Sequence, residues 1–201
     1  DALYNTLLIA FLSALIATIL GTMVSFAMNH MKKLPRMILM TVTNIPMLNA
    51  DIVTGISLML LFIALRYRMG FGSVLIAHIT FNLPYVVLSV LPKLKQMNKS
   101  VFEAALDLGA SRQYAFVKVV FPDILPGILT GFLLSFTMSL DDFIITHFTK
   151  GVGMDTLSTK IYAEVRKGIK PEIYALSTIL FAAIFIVLIV VNRRQKAEEN
   201  R

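Results

Sequence analysis

The sequence predicts an all-α integral membrane protein, a single transmembrane domain over residues 1–201 with five spanning helices. Three observations lead there. Hydrophobic residues make up 57% of the chain, charged residues only 15%, and mean hydropathy is +0.76, whereas a soluble domain is about one quarter charged. Apolar runs recur at about the 20-residue length that a helix needs to cross a bilayer. The lysines and arginines gather between those runs, as they do in the cytoplasmic loops of membrane proteins.

The net charge of +7 therefore fits contact with anionic membrane lipid. Nucleic acid is not the expected partner, because basic and aromatic residues do not interleave along a polar surface. The absence of cysteine excludes disulfides, thiolate metal sites and a cysteine nucleophile. The chain opens on Asp1-Ala2-Leu3-Tyr4 with no basic n-region, so no signal peptide is read. An apolar run that starts almost at once points to one further helix upstream.

Residues 6–28 form the first span and carry no charge. Residues 37–65 are too long for one straight crossing, about 43 Å against a hydrocarbon core of about 30 Å. Asn44-Ile45-Pro46 and Asn49-Ala50-Asp51 predict a broken lead-in followed by the spanning part. Residues 71–91, 124–148 and 173–192 supply the third, fourth and fifth spans. Lys32, Lys33 and Arg36, then Lys93, Lys95, Lys99, Arg112 and Lys118, then Arg193, Arg194 and Lys196 fall on one side if the spans alternate. That side is assigned to the cytoplasm. Arg66, Arg68 and an outer loop of about 147–172 lie opposite, and 193–201 is a cytoplasmic tail.

Helices in lipid associate through close backbone contact at small residues. Ser13, Ala17, Gly21 and Ser25 make such a stripe on the first span, and Gly127, Gly131, Ser135 and Ser139 make one on the fourth. The stripes serve packing within one bundle, or one of them meets a partner subunit across a translocation path.

Between the third and fourth spans, Ser100-Val101-Phe102-Glu103 reads as a capping box. A short helix follows to Leu108, Gly109 suits a left-handed C-terminal turn, and Ser111 caps a second helix reaching about Val120. A helix-turn-helix over about 99–121 on the cytoplasmic face is expected. Here the chain resembles the membrane subunits of binding-protein-dependent ABC importers. These carry Glu-Ala-Ala, three residues, Gly, nine residues and Ile-x-Leu-Pro; this chain has Glu103-Ala104-Ala105, Gly109 and Val119-Val120-Phe121-Pro122. The resemblance implies a type I ABC importer transmembrane bundle in which this segment is the coupling helix. Glu103, Ala104, Ala105, Leu108 and Gly109 then contact an ATP-binding cassette ATPase dimer. Glu103 also has the capping box as a sufficient explanation.

No Gly-x-x-x-x-Gly-Lys-[Ser/Thr] phosphate loop occurs, and Gly151-Val152-Gly153 lacks the lysine, so nucleotide binding is not expected here. No cofactor is assigned to this chain. ATP and Mg²⁺ belong to the partner ATPase, and no catalytic or metal-binding residue is predicted. The resemblance further implies a second homologous permease subunit, an extracytoplasmic substrate-binding protein and a multi-pass place in the bacterial inner membrane.

A carboxylate at mid-membrane costs about 2.5–3.5 kcal/mol, so Asp141 and Asp142 call for a partner or a function. Asp142 projects about 20° from Ser135, on the small-residue stripe, while Asp141 points away. Ion pairing, or a helix that ends at Leu140, would equally account for them. Ser139-Leu140-Asp141-Asp142-Phe143 and Leu157-Ser158-Thr159-Lys160-Ile161-Tyr162 resemble the spermidine/putrescine branch of the family. This implies a polyamine substrate, with Asp142, Asp141, Asp51 and Asn49 as path residues. Thiamine or ferric iron are alternative cargoes, and an ion-driven secondary transporter is a further alternative that leaves the Glu103 loop unexplained. Asn49 and Asp51 are placed towards the cytoplasmic third, as a hydrogen-bonded cluster or a path lining. His78, Asn82 and Pro84 read as a kink with satisfied polar groups. Leu157, Ile161 and Val165 predict a short outer surface helix, which the resemblance makes part of a docking surface for the binding protein.

Overall fold

The computed structural model describes residues 2–167. The predicted fifth span (173–192), the tail (193–201) and the end of the outer loop (168–172) lie outside the described residues. The chain divides into two compact units, Asp1–Lys160 and Ile161–Arg201. Of the second, the described part is the end of the last helix and Lys167, which pairs with Glu164 at 2.9 Å.

Among the described residues every regular element is helical. Three long apolar helices meet the spanning test by length and composition: α1 (Ala2–His30), α4 (Phe71–Gln96) and the continuous run Arg112–Asp141, whose last part is α7 (Phe121–Asp141). Between α1 and α4 stand α2 (Lys33–Leu48) and α3 (Asp51–Ala64), which meet at 107°. The break lies at Asn49 and Ala50, both with extended backbone, and not at Pro46, which is inside α2. A proline withdraws its own N–H and its ring crowds the carbonyl four residues back, yet the bond from Asn49 N–H to the Ile45 carbonyl carries α2 past it. Two consecutive extended residues end it.

α4 is the centre of the main unit, in contact with both α1 and α7. The two predicted stripes explain why. Ser13, Ala17, Gly21, Ser25, Gly127, Gly131, Ser135 and Ser139 are all buried. A Cβ on Gly21 would lie 2.6 Å from Val86 Cγ1, one on Gly131 3.1 Å from Val86 Cα, and one on Gly127 2.8 Å from the Ser89 carbonyl. Both stripes thus pack on α4 of the same chain. Ala17, Val86, Val90, Leu94, Val120 and Ile124 fill the space below them.

The two ends of the unit are distinct. At one, Asn5 Nδ2 donates to the Asp155 carbonyl at 3.1 Å, the Leu157 amide to Thr6 Oγ1 at 2.7 Å, and Ser73 Oγ to the Thr149 carbonyl at 2.7 Å. At the other, the Phe26 and Phe116 rings meet at 5.3 Å, where the end of α1 reaches the segment after α4. The predicted outer helix is present as α9 (Leu157–Arg166).

The fit of Val86 between two glycines gives a graded expectation. Gly21→Ala should destabilise the protein by about 1–3 kcal/mol, as overpacking does, and Gly131→Ala by less, since its nearest contact is longer. Thermal unfolding in detergent checks the order; a Gly131 variant that melts first would refute it.

Candidate functional site

The predicted residues fall in three places. The first is the short helix α5 (Lys99–Asp107) after α4. Its N-cap is Asn98, whose side chain accepts from the Ser100 amide at 3.0 Å, and not Ser100. The helix begins two residues earlier than the predicted box, so Ser100 lies inside it and Glu103 is released from capping. Glu103 is exposed and lines a cleft of about 240 Å³ with Phe26, Leu94, Phe102 and Phe116. Its capping explanation is withdrawn.

The end of α5 follows the prediction. Gly109 has φ +87°, the left-handed region where L side chains are strained. Its amide donates to the Leu106 carbonyl at 2.9 Å, and the Ala110 amide to Ala105 at 3.1 Å. This pair of bonds is a Schellman turn. It leaves Leu108 90% exposed, with Ala104 exposed and Ala105 half-buried beside it. Ser111 then caps α6 (Arg112–Ala115), accepting from the Tyr114 amide at 3.2 Å. The second helix does not stop near Val120. A π-helical turn, Phe116–Val120, joins it to α7, and the Phe121 amide reaches back to the Phe116 carbonyl. A π turn is one way for a helix to absorb a local irregularity, here one residue before Pro122.

The second place is the bend between α2 and α3, where Asn49 and Asp51 are both exposed. The Asp51 carboxylate lies within electrostatic range of the Tyr85 hydroxyl, and Tyr85 contacts the Phe81 ring at 5.5 Å. Tyr85 stands about 21 Å along α4, a helix about 39 Å long.

The third place is the end of α7. The predicted span to Phe148 ends at Asp141, because Asp142 turns to extended backbone (φ −59°, ψ 126°). The six-residue helix α8 (Ile144–Thr149) follows and packs on α3, with Gly55 against Ile144, Ile145 and Phe148. Asp141 is exposed. The Asp142 side chain is only 8% exposed and accepts from the Ile145 amide (3.2 Å), the Thr146 amide (2.8 Å) and Thr146 Oγ1 (2.8 Å). His78 Nε2 stands 3.3 Å from Asp142 Oδ2 and 2.9 Å from Thr146 Oγ1, and Nδ1 is 2.5 Å from Ser139 Oγ. Ser139 meets Ser13 Oγ at 3.1 Å, and Asn82 Nδ2 donates to Ser13 at 3.4 Å.

His78 is thus satisfied by the carboxylate corner and not by its own helix, whereas α4 runs as one helix through Pro84 and the buried Asn82 Oδ1 has no hydrogen-bond partner among the described residues. Tyr85, Thr146 and Asn98 were not singled out from the sequence. The Asp142–Thr146 spacing is a legible sign of a capping carboxylate; Tyr85 had none. No group of three metal-ligating side chains occurs among the described residues.

The family described as "binding-protein-dependent transport system inner membrane component" matches residues 14–196. The chain is 36% identical over 200 residues to the spermidine/putrescine transport system permease protein PotC of Haemophilus influenzae, covering 100% of this chain and 77% of that protein. It is 37% identical over 148 residues to the putrescine transport system permease protein PotI of Escherichia coli K12, covering 71% and 53%. An amino acid ABC transporter solved with histidines shares the fold, with a TM-score of 0.62 at 19% identity over 93% of this chain and 85% of that one.

The capping assignment is testable by hydrogen exchange. Asn98→Ala should cost α5 about 1 kcal/mol and speed exchange of the amides at 100 and 101, while Ser100→Ala leaves them unchanged. The reverse pattern would restore the capping box.

Proposed function

The chain belongs to the family of binding-protein-dependent transport system inner membrane components, and from that premise we propose that it is a permease subunit of an ATP-driven polyamine importer. The identity to a spermidine/putrescine permease along the whole chain carries this reading. The long apolar helices cross the bacterial inner membrane, with the α5 end of the bundle in the cytoplasm. The other end receives an extracytoplasmic substrate-binding protein. A second, homologous permease subunit completes the path.

α5 acts as the coupling helix. The Schellman turn at Gly109 presents Leu108, Ala104 and Ala105 to the partner ATPase, with Glu103 at the edge of the contact. ATP and Mg²⁺ bind that partner, and its closure moves α5 and the run Arg112–Asp141 together.

A polyamine is a flexible polycation, held by carboxylates and aromatic faces. Asp51, Asn49 and Tyr85 offer that pairing at a helix break, the kind of irregular backbone that membrane proteins keep where it lines a cavity. Asp141 supplies a second exposed carboxylate nearer the outer end. Asp142 belongs to the same path from behind, since its capped corner turns Asp141 outward.

The reading is tested in vesicles holding the assembled complex, with binding protein outside, ATP inside and no ion gradient. Spermidine and putrescine should be taken up, and uptake that survives without ATP or needs a proton or sodium gradient would sink the proposal. Gly109→Val should abolish uptake while the subunits still co-purify, because a β-branched residue at this φ costs about 1–2 kcal/mol. Asp51→Asn should raise the half-saturating polyamine concentration about tenfold, the loss of one charge-assisted contact.

A further inference from the structure

We propose that His78 is a positioning residue that holds the α7–α8 corner closed and thereby sets the outward direction of Asp141. One imidazole spans the break between two helices. Nδ1 engages Ser139 in the last turn of α7, and Nε2 engages Thr146 and Asp142 at the start of α8. Between these anchors the backbone passes through Asp142 and Phe143 without a helical ladder. His78 itself lies on α4 and is 2% exposed, so the corner is pinned to the central helix of the bundle.

The hydrogen-bond pattern fixes one proton. Thr146 Oγ1 donates to Asp142 Oδ2, so it has only acceptor capacity left for the imidazole, and a carboxylate is acceptor-only. His78 Nε2 must therefore carry hydrogen. Nδ1 meets Ser139 Oγ, which meets Ser13 Oγ in turn, and Ser13 donates to the Ala10 carbonyl at 3.2 Å and accepts from Asn82 Nδ2. These contacts link α1 to α8, and the His78 side chain hydrogen-bonds on both sides of the break. Removing the Nε2–H donor leaves Asp142 held by α8 alone. The α7 end, with Asp141, is then released from α8.

The two ring nitrogens give a discriminating substitution series. Glutamine places an amide donor near Nε2 and keeps the Asp142–Thr146 side, whereas asparagine reaches only as far as Nδ1 and keeps the Ser139 side. The chain has no cysteine, so Asp141→Cys introduces its one thiol. Labelling of that thiol by a membrane-impermeant charged reagent, read by mass spectrometry of this subunit in the full complex, reports the corner without transport. We expect H78Q to label like the His78 background. H78N and H78A should change the labelling rate about tenfold, on the scale of one hydrogen bond to a charged group. In the cysteine-free background H78Q should keep polyamine uptake, and H78N should lower it with assembly intact. If all three variants label alike, His78 only fills space and the proposal is overturned. The uptake arm rests on the polyamine reading proposed above, while the labelling arm does not. Failure of polyamine uptake in every variant, His78 included, would count against that reading, with labelling still deciding the role of His78.

Discussion

The close passage of α4 between two glycine-lined helices is the contact on which the rest of the molecule depends. In lipid, aliphatic side chains gain little by leaving one apolar neighbour for another, so association rests on fit and on polar pairs. Val86 occupies the space that side chains at 21 and 131 would need. That fit brings the backbones of α1 and α7 close to α4. The same proximity lets short side chains such as Ser13 and Ser139 reach one another across helices.

The buried polar groups follow from this geometry. An isolated imidazole or carboxylate in a bilayer is costly, but Ser13, His78, Ser139, Asp142 and Thr146 satisfy one another at the level where α7 ends. The network also explains the division of labour between adjacent aspartates. One is consumed in ending α7 and starting α8, and the other is left on the surface. Chemistry that looks duplicated in the chain is single in space.

Much of this was legible in the sequence where one helix decides the matter alone. The two stripes, the inward direction of Asp142 and the left-handed turn at Gly109 all follow from 100° periodicity or from what a residue's own backbone tolerates. What escaped depends on neighbours. Pro46 looked like the break, yet α2 carries on to Asn49, because losing one N–H is tolerable where the remaining ladder holds. Ser100 and Asn98 are both good caps, and only the length of α4 decides between them. The continuation of α6 into α7 was hidden because Pro122 reads locally as a start. His78 read as part of a kink with satisfied polar groups, its partner unnamed, since nothing in the chain's order places position 78 beside 142. The last predicted span and the tail stand outside the described residues.

The π turn at Phe116–Val120 has a mechanical meaning. With no loop between Ser111 and Asp141, thirty residues form one rod about 45 Å long. One tip stands beside the exposed Leu108, and the other carries the two aspartates. On the coupling role proposed for α5, displacement at one tip would reach the other through continuous helix, with the π turn, Pro122 and Pro126 as the places where it can bend. The π turn, with its wider ring of backbone, is the point along that rod where winding differs from the rest. It therefore sets the angular phase between the tip beside Leu108 and the tip at Asp141. Inserting one residue into the α-helical part of the rod would turn the carboxylates by about 100° relative to the tip beside Leu108, whereas removing one at the π turn would return it to α geometry with little change of phase.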